Sequence, residues 1–173
     1  MLIAMVGLPG TGKSTLARPL ANACAAIVLD KDVIRAALFP MHMIEYSTQQ
    51  DDFCMSIMFQ VASYMIRANP SLNVILDGRT FSRRYQVAAL EQLARELATP
   101  LKIIECVCSD ETARQRLGHK GKAGKKHVAA NRDYALYLSI KAAFEPIRQP
   151  KLVVNTDDDL AQCLALCLAY LST

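Results

Sequence analysis

Gly7-Leu8-Pro9-Gly10-Thr11-Gly12-Lys13-Ser14 spells a complete GxxxxGK[ST] pattern, whose chemistry is the cradling of phosphate. Gly10 and Gly12 let backbone N–H groups come close to an anion. Lys13 reaches the β- and γ-phosphates, and the Ser14 hydroxyl joins the Mg²⁺ shell that accompanies a triphosphate. The apolar run Leu2-Ile3-Ala4-Met5-Val6 predicts a buried strand before the loop, and Ser14-Thr15-Leu16-Ala17-Arg18 opens a helix after it. Together they aim several N–H groups and the positive end of a helix dipole at one point. A glycine-rich turn with a surface lysine is the bland alternative, and it leaves the flanking strand and helix unexplained. Gly7, Pro9, Gly10, Thr11, Gly12, Lys13, Ser14 and Thr15 are the expected nucleotide contacts.

Phosphoryl transfer also needs acids and further cations. Asp77 follows Val74-Ile75-Leu76, the pattern of a Walker-B-like strand end, where a carboxylate holds Mg²⁺ beside the loop. Ser14 and Asp77 are the expected metal contacts; the alternative for Asp77 is a turn or capping aspartate before Gly78. Asp32-Val33-Ile34-Arg35 sets an acid and a base one helical turn apart on one side of a helix. Asp32 suits a base that takes an acceptor proton, and Arg35 suits a cation that holds acceptor or phosphate. The alternative is an N-cap aspartate with an i, i+3 ion pair. Asp30 is either an acceptor contact or a turn residue. In the segment 114–126, Arg114, Arg116, Lys120, Lys122, Lys125 and Lys126 interleave with Gly118, Gly121 and Gly124. That pattern is expected to form a basic lid over about residues 114–130, with a nucleic-acid patch or a solvated loop as alternatives.

These residues must be positioned by a scaffold, and the pattern around them alternates strand and helix. Strands are predicted at 26–29, 73–77, 101–108 and 152–154 besides the first. Helices are predicted from residue 14 and over 33–38, 47–68, 82–98, 110–117, 131–144 and 158–171. Such repeats predict an α/β fold, a parallel sheet covered by helices on both faces. Pro19 falls inside the first helix and is expected to kink or loosen it. A chain of 173 residues is expected to form one domain, too short for a P-loop core plus the extra helical domain of an AAA+ motor. Its net charge of +4 is modest and needs no nucleic-acid partner. The apolar stretches 53–66 and 160–171 are interrupted or too short to span a bilayer, and the N-terminus lacks a basic leader. The six cysteines form no CxxC pair and are expected to be reduced core residues of a cytoplasmic protein.

Taken in order, the loop with its Ser14-to-Arg18 continuation, Asp32-x-x-Arg35, Val74-Ile75-Leu76-Asp77 and Arg116-Leu117 resemble one group of proteins. These are the small P-loop kinases, relatives of polynucleotide 5′-hydroxyl kinases, chloramphenicol phosphotransferase and zeta-type toxins. The likeness spans roughly residues 2–158. It implies a five-stranded sheet of order 2-3-1-4-5, ATP and Mg²⁺ as cofactors, Asp32 as general base and Arg35 as an acceptor- or phosphate-binding arginine. It further implies that Arg116 stacks on the adenine and that Asn155, in the turn Asn155-Thr156-Asp157, lies near the base. Where such lids carry a second arginine, this chain has His119 or Lys120; Lys120 keeps the charge but not the bidentate fork.

The leading expectation is an ATP-dependent kinase that phosphorylates a hydroxyl of a small molecule. A nucleic-acid end kinase is the second reading, with Tyr85 beside Arg83-Arg84 as its local hint; a nucleotide-dependent switch without an acceptor is the third. The acceptor pocket is expected from residues 30–38, 46–58 and Gly78-Arg79-Thr80, with Asp30, Arg35 and Arg79 as substrate contacts.

Overall fold

Alternation along the first strand decides how the layers form. In the computed structural model, which describes residues 1–119 and 133–173, strand β1 (Leu2–Val6) is fully buried. Leu2, Ala4 and Val6 enter one apolar cluster, and Ile3 and Met5 enter another on the opposite side. Side chains of a strand alternate between faces, so a run with no polar position demands cover on both. Helices α3 (Thr48–Ala68) and α4 (Arg84–Glu96) give that cover on the first side through Met55, Met58, Val87 and Leu90. Helix α1 (Lys13–Ala23) and the C-terminal helix α7 (Leu160–Leu171) give it on the other, through Leu16, Leu20, Cys163 and Cys167. Each large apolar side chain buried this way contributes about 1.5–3 kcal/mol before the entropy of ordering is subtracted.

The remaining strands are β2 (Ala26–Asp30), β3 (Asn73–Asp77), β4 (Leu101–Val107) and β5 (Leu152–Asn155). All pairings are parallel and the sheet runs β2-β3-β1-β4-β5, the order implied by the family resemblance. The loop at residues 7–14 therefore leaves the C-terminal edge of the central strand, where ligands of open α/β sheets bind. Helices α2 (Lys31–Leu38), α5 (Asp110–His119) and α6 (Tyr134–Ala142) stand above that edge.

Several local details differ from the expectation. Helix α1 runs through Pro19 without interruption. The proline removes one backbone hydrogen bond, but Leu16, Ala17, Leu20 and Ala21 pack the helix onto the sheet, and that packing outweighs propensity. Helix α2 begins at Lys31, two residues early, because Asp30 is its cap: the Asp30 carboxylate accepts from the N–H groups of Asp32 (2.8 Å) and Val33 (3.4 Å). A 3-10 turn at Met41–Met43 has no counterpart in the sequence reading. The cysteines are all free thiols. Burial raises the Cys106 thiol to about 12, which makes it unreactive. Among the described residues, no helix is long and apolar enough to cross a membrane.

Candidate active site

The phosphate loop takes its shape from glycines in backbone conformations that side chains rarely adopt. Gly7, Gly10 and Gly12 all have positive φ (128°, 81° and 79°). At Gly7 a Cβ would lie 2.3 Å from the Cys106 carbonyl oxygen, so the strand could not hand over to the loop with any side chain there. The loop is pinned from beneath by a hydrogen bond from Gly7 N–H to Thr80 O (3.1 Å). Gly12 is the N-cap of α1 and contributes no side-chain bond, and the first turn holds no acid. The first N–H groups of the helix are thus left to an anion. Lys13 is nearly buried, and its ammonium donates to the carbonyls of Gly7 and Leu8, 2.8 Å each.

Two cavities open on either side of this loop. The first, about 630 Å³, is lined by Gly10, Gly12, Lys13, Ser14, Thr15, Arg116 and Thr156, among others. Arg116, on α5, holds its mouth: its guanidinium donates to Thr156 Oγ1 (2.9 Å), Thr156 O (2.7 Å) and Gly10 O (3.3 Å). The second, about 390 Å³, is lined by Pro9, Lys13, Lys31, Asp32, Arg35, Asp51, Gly78 and Arg79, with α4 and α6 closing its far side. Among the described residues, only Lys13 and Gly78 belong to both.

The second cavity contains a network of buried charge. Arg35, 1% exposed, donates to Asp32 (3.0 Å) and to Asp51 of α3, and its guanidinium lies 5.2 Å from the Tyr46 ring centroid. Lys31 bonds Asp51 at 2.7 Å and lies 3.7 Å from Asp32. Arg79 pairs with Asp52 at 2.5 Å, and Tyr85 Oη donates to the same carboxylate at 3.1 Å. Buried cations persist only when paired, so these acids are part of the pocket's construction.

Asp77 ends β3 in register with Asp30 on β2. It is 2% exposed, and its Oδ1 accepts no hydrogen bond from the described residues. A buried carboxylate oxygen without a donor fits a cation or its water, so Asp77 suits Mg²⁺, as does the Ser14 hydroxyl on the wall of the first cavity. Among the described residues, no three or more His, Cys, Asp or Glu side chains converge as a metal cage. Mg²⁺ is commonly held by one or two carboxylates together with substrate phosphates.

Burial first, and then the charge of Asp77, push the Asp30 carboxyl above its ordinary range, against the backbone donors that lower it. The folded state then binds more protons than the unfolded one, so stability falls as pH rises through the window above 3.8. Asp30→Asn keeps a competent cap and removes the charge. Its Tm is expected to exceed that of the parent at pH 7, with the gap narrowing as pH falls toward 3.8 and the parent carboxyl takes up a proton in the folded state. A pH series of thermal melts on ligand-free protein checks this.

A family model described as an AAA domain matches residues 2–147. The chain belongs to this AAA domain family. No curated protein matches it in sequence. Solved structures match its fold: the APS kinase CysC of Mycobacterium tuberculosis, in complex with AMPPNP and APS, is 16% identical, with TM-score 0.73 over 99% of this chain and 97% of that one. A gluconokinase from Sinorhizobium meliloti is 17% identical, with TM-score 0.70 over 98% and 90%. Kti12 of Chaetomium thermophilum, in complex with ADP-AlF3, is 18% identical, with TM-score 0.66 over 98% of each chain. At the level of fold, the resemblance to small P-loop kinases holds.

Within this AAA domain the expected site residues sort by cavity. Gly10, Thr15 and Ser14 line the first cavity with Arg116; Pro9, Asp32, Arg35 and Arg79 line the second. Thr11 is buried beneath the loop and donates to Leu8 O at 2.8 Å. Asp30 acts structurally as the α2 cap, a role the sequence reading had considered for Asp32. Asn155 does not line the first cavity. Strand alternation turns it to solvent, where it accepts from Asp157 N–H (3.2 Å), and the next residue, Thr156, points inward. Lys120 and most of the basic lid lie outside the described residues. Asp51 and Asp52 fall within the expected acceptor segment 46–58 and Thr156 within the turn expected near the base, but none of the three was singled out as a contact.

Proposed function

We propose that the chain is an ATP-dependent kinase that transfers the γ-phosphate of Mg·ATP to a hydroxyl of a small-molecule acceptor. One observation carries this reading: two cavities that meet at Lys13, with a phosphate loop on one side and Asp32 on the other. ATP lies along the first cavity, its phosphates on the N–H groups of the loop and α1, its base toward Arg116. The acceptor lies in the second. Its hydroxyl oxygen bonds to the γ-phosphorus while the bond to the β–γ bridging oxygen breaks. ADP leaves, and the hydroxyl proton passes to Asp32. Arg35 fixes Asp32 through the 3.0 Å ion pair and adds positive charge near the transferred group. Lys13 sits where charge develops, at the junction of the cavities. Mg²⁺, when bound through Ser14 and Asp77, neutralises charge on the phosphate oxygens. The basic segment about 114–130, with Lys120, is assigned to closure over the phosphates. The natural setting is the cytoplasm, where ATP and reduced thiols are both maintained.

A transfer screen with γ-labelled ATP checks the reading, using sugars, polyols, hydroxy acids, nucleosides and 5′-hydroxyl oligonucleotides. Label on a small molecule is the expected result. Label on oligonucleotide alone would instead make the chain a polynucleotide end kinase. Tight Mg·ATP binding with no transfer to any class would make it a switch.

A further inference from the structure

Beyond Lys13, the wall of the acceptor cavity carries Lys31, Arg35, Arg79 and Arg83 against Asp32 and Asp51. Three of these cations are nearly out of water, Arg35 at 1%, Arg79 at 4% and Lys31 at 6% side-chain exposure. Their partners differ from them in solvation. Asp52, which holds Arg79, is 43% exposed, and Asp51, which holds Arg35, is 25% exposed. Asp52, nearly half-exposed, loses little by swinging into solvent; Asp51, mostly buried, keeps Lys31 at 2.7 Å when it releases Arg35. A dry guanidinium loses much unless another anion takes the place. In addition, Arg35 Nε is buried with no hydrogen bond, so the Nε/Nη2 edge of its fork is only half used by Asp51. Arg79 follows Gly78, which lines both cavities, so an anion on Arg79 would leave the rest of its molecule beside Lys13 and Asp32.

Resting on the kinase reading of this site, we propose that the acceptor is itself anionic. It is a hydroxyl compound bearing an oxyanion group (carboxylate, phosphate or sulfate) that displaces Asp52 from Arg79 and Asp51 from Arg35. The two α3 acids are internal stand-ins for that group. They keep the cations paired while the pocket is empty, and they impose selection, because a neutral polyol of the same size has nothing to offer the guanidiniums in exchange.

The test uses the full chain saturated with Mg·AMPPNP, so that the phosphate loop is filled, and titrates inorganic sulfate and inorganic phosphate calorimetrically with glycerol as the neutral control. Both anions are expected to bind and glycerol not. Arg79→Gln is expected to weaken anion binding at least tenfold, and Asp52→Asn to strengthen it severalfold, a gain that misfolding cannot produce. No anion binding to the loaded protein, or equal binding in Arg79→Gln, overturns the proposal and leaves the kinase reading standing. So does label transfer to neutral polyols alone. Failure of Mg·AMPPNP to bind at all overturns the kinase reading and this proposal with it.

Discussion

Lys13→Ala is expected to lower Mg·ATP affinity at least tenfold and to cut turnover by roughly a hundred- to a thousandfold. Lys13 has two tasks. Its ammonium spans the loop, donating to the Gly7 and Leu8 carbonyls, and so staples the loop it is to serve. It also lies on the wall of both cavities, which makes it the side chain placed to follow charge from donor to acceptor. Alanine removes both. Lys13→Arg should rescue little, because a planar fork does not replace a point charge at the end of a flexible stem. Equilibrium binding of a labelled ATP analogue, measured beside initial rates, checks the split. Normal turnover in Lys13→Ala would sink the catalytic assignment.

Asp32 has the next largest effect, with a different signature. Asp32→Ala is expected to abolish transfer, a loss of roughly a hundred- to ten-thousandfold, while Mg·ATP affinity changes less than twofold. The residue faces only the acceptor cavity, so donor binding should not register its loss. Because Asp32 also pairs with Arg35, alanine leaves a dry arginine with Asp51 as its one carboxylate partner among the described residues. Asp32→Asn keeps an accepting oxygen toward Arg35 but cannot take a proton. If the role is proton acceptance, Asn is as inactive as Ala and folds as well as the parent. Should Asn retain most of the transfer activity, Asp32 would be a positioning residue rather than the base.

What the sequence disclosed and what it hid differ in range. The phosphate loop is eight consecutive residues, and the buried strands are short apolar runs, so local pattern was enough for both the loop and the layer order. Asp32 and Arg35 are one helical turn apart, again within reach of local spacing. Asp51 and Asp52 are not: they meet Lys31, Arg35 and Arg79 only because α3 packs beside α2 and the end of β3. On their own they look like acids of a helix's first turns. Strand β5 runs one residue further than expected, to Asn155, and the alternation along it leaves Val154 buried and Asn155 exposed. Pro19 shows the opposite case, a strong local signal overruled by an apolar face packed on the sheet.

Among the described residues only Lys13 and Gly78 are common to the two cavities, and this has an evolutionary consequence. The donor half draws on the loop, α1, α5 and the turn after β5. The acceptor half draws on α2, α3, α4 and α6. Mutations that reshape one half seldom touch the other. On the proposed kinase reading, a lineage built on this plan can change what it phosphorylates by rewriting its helical side and inherit its ATP chemistry unaltered.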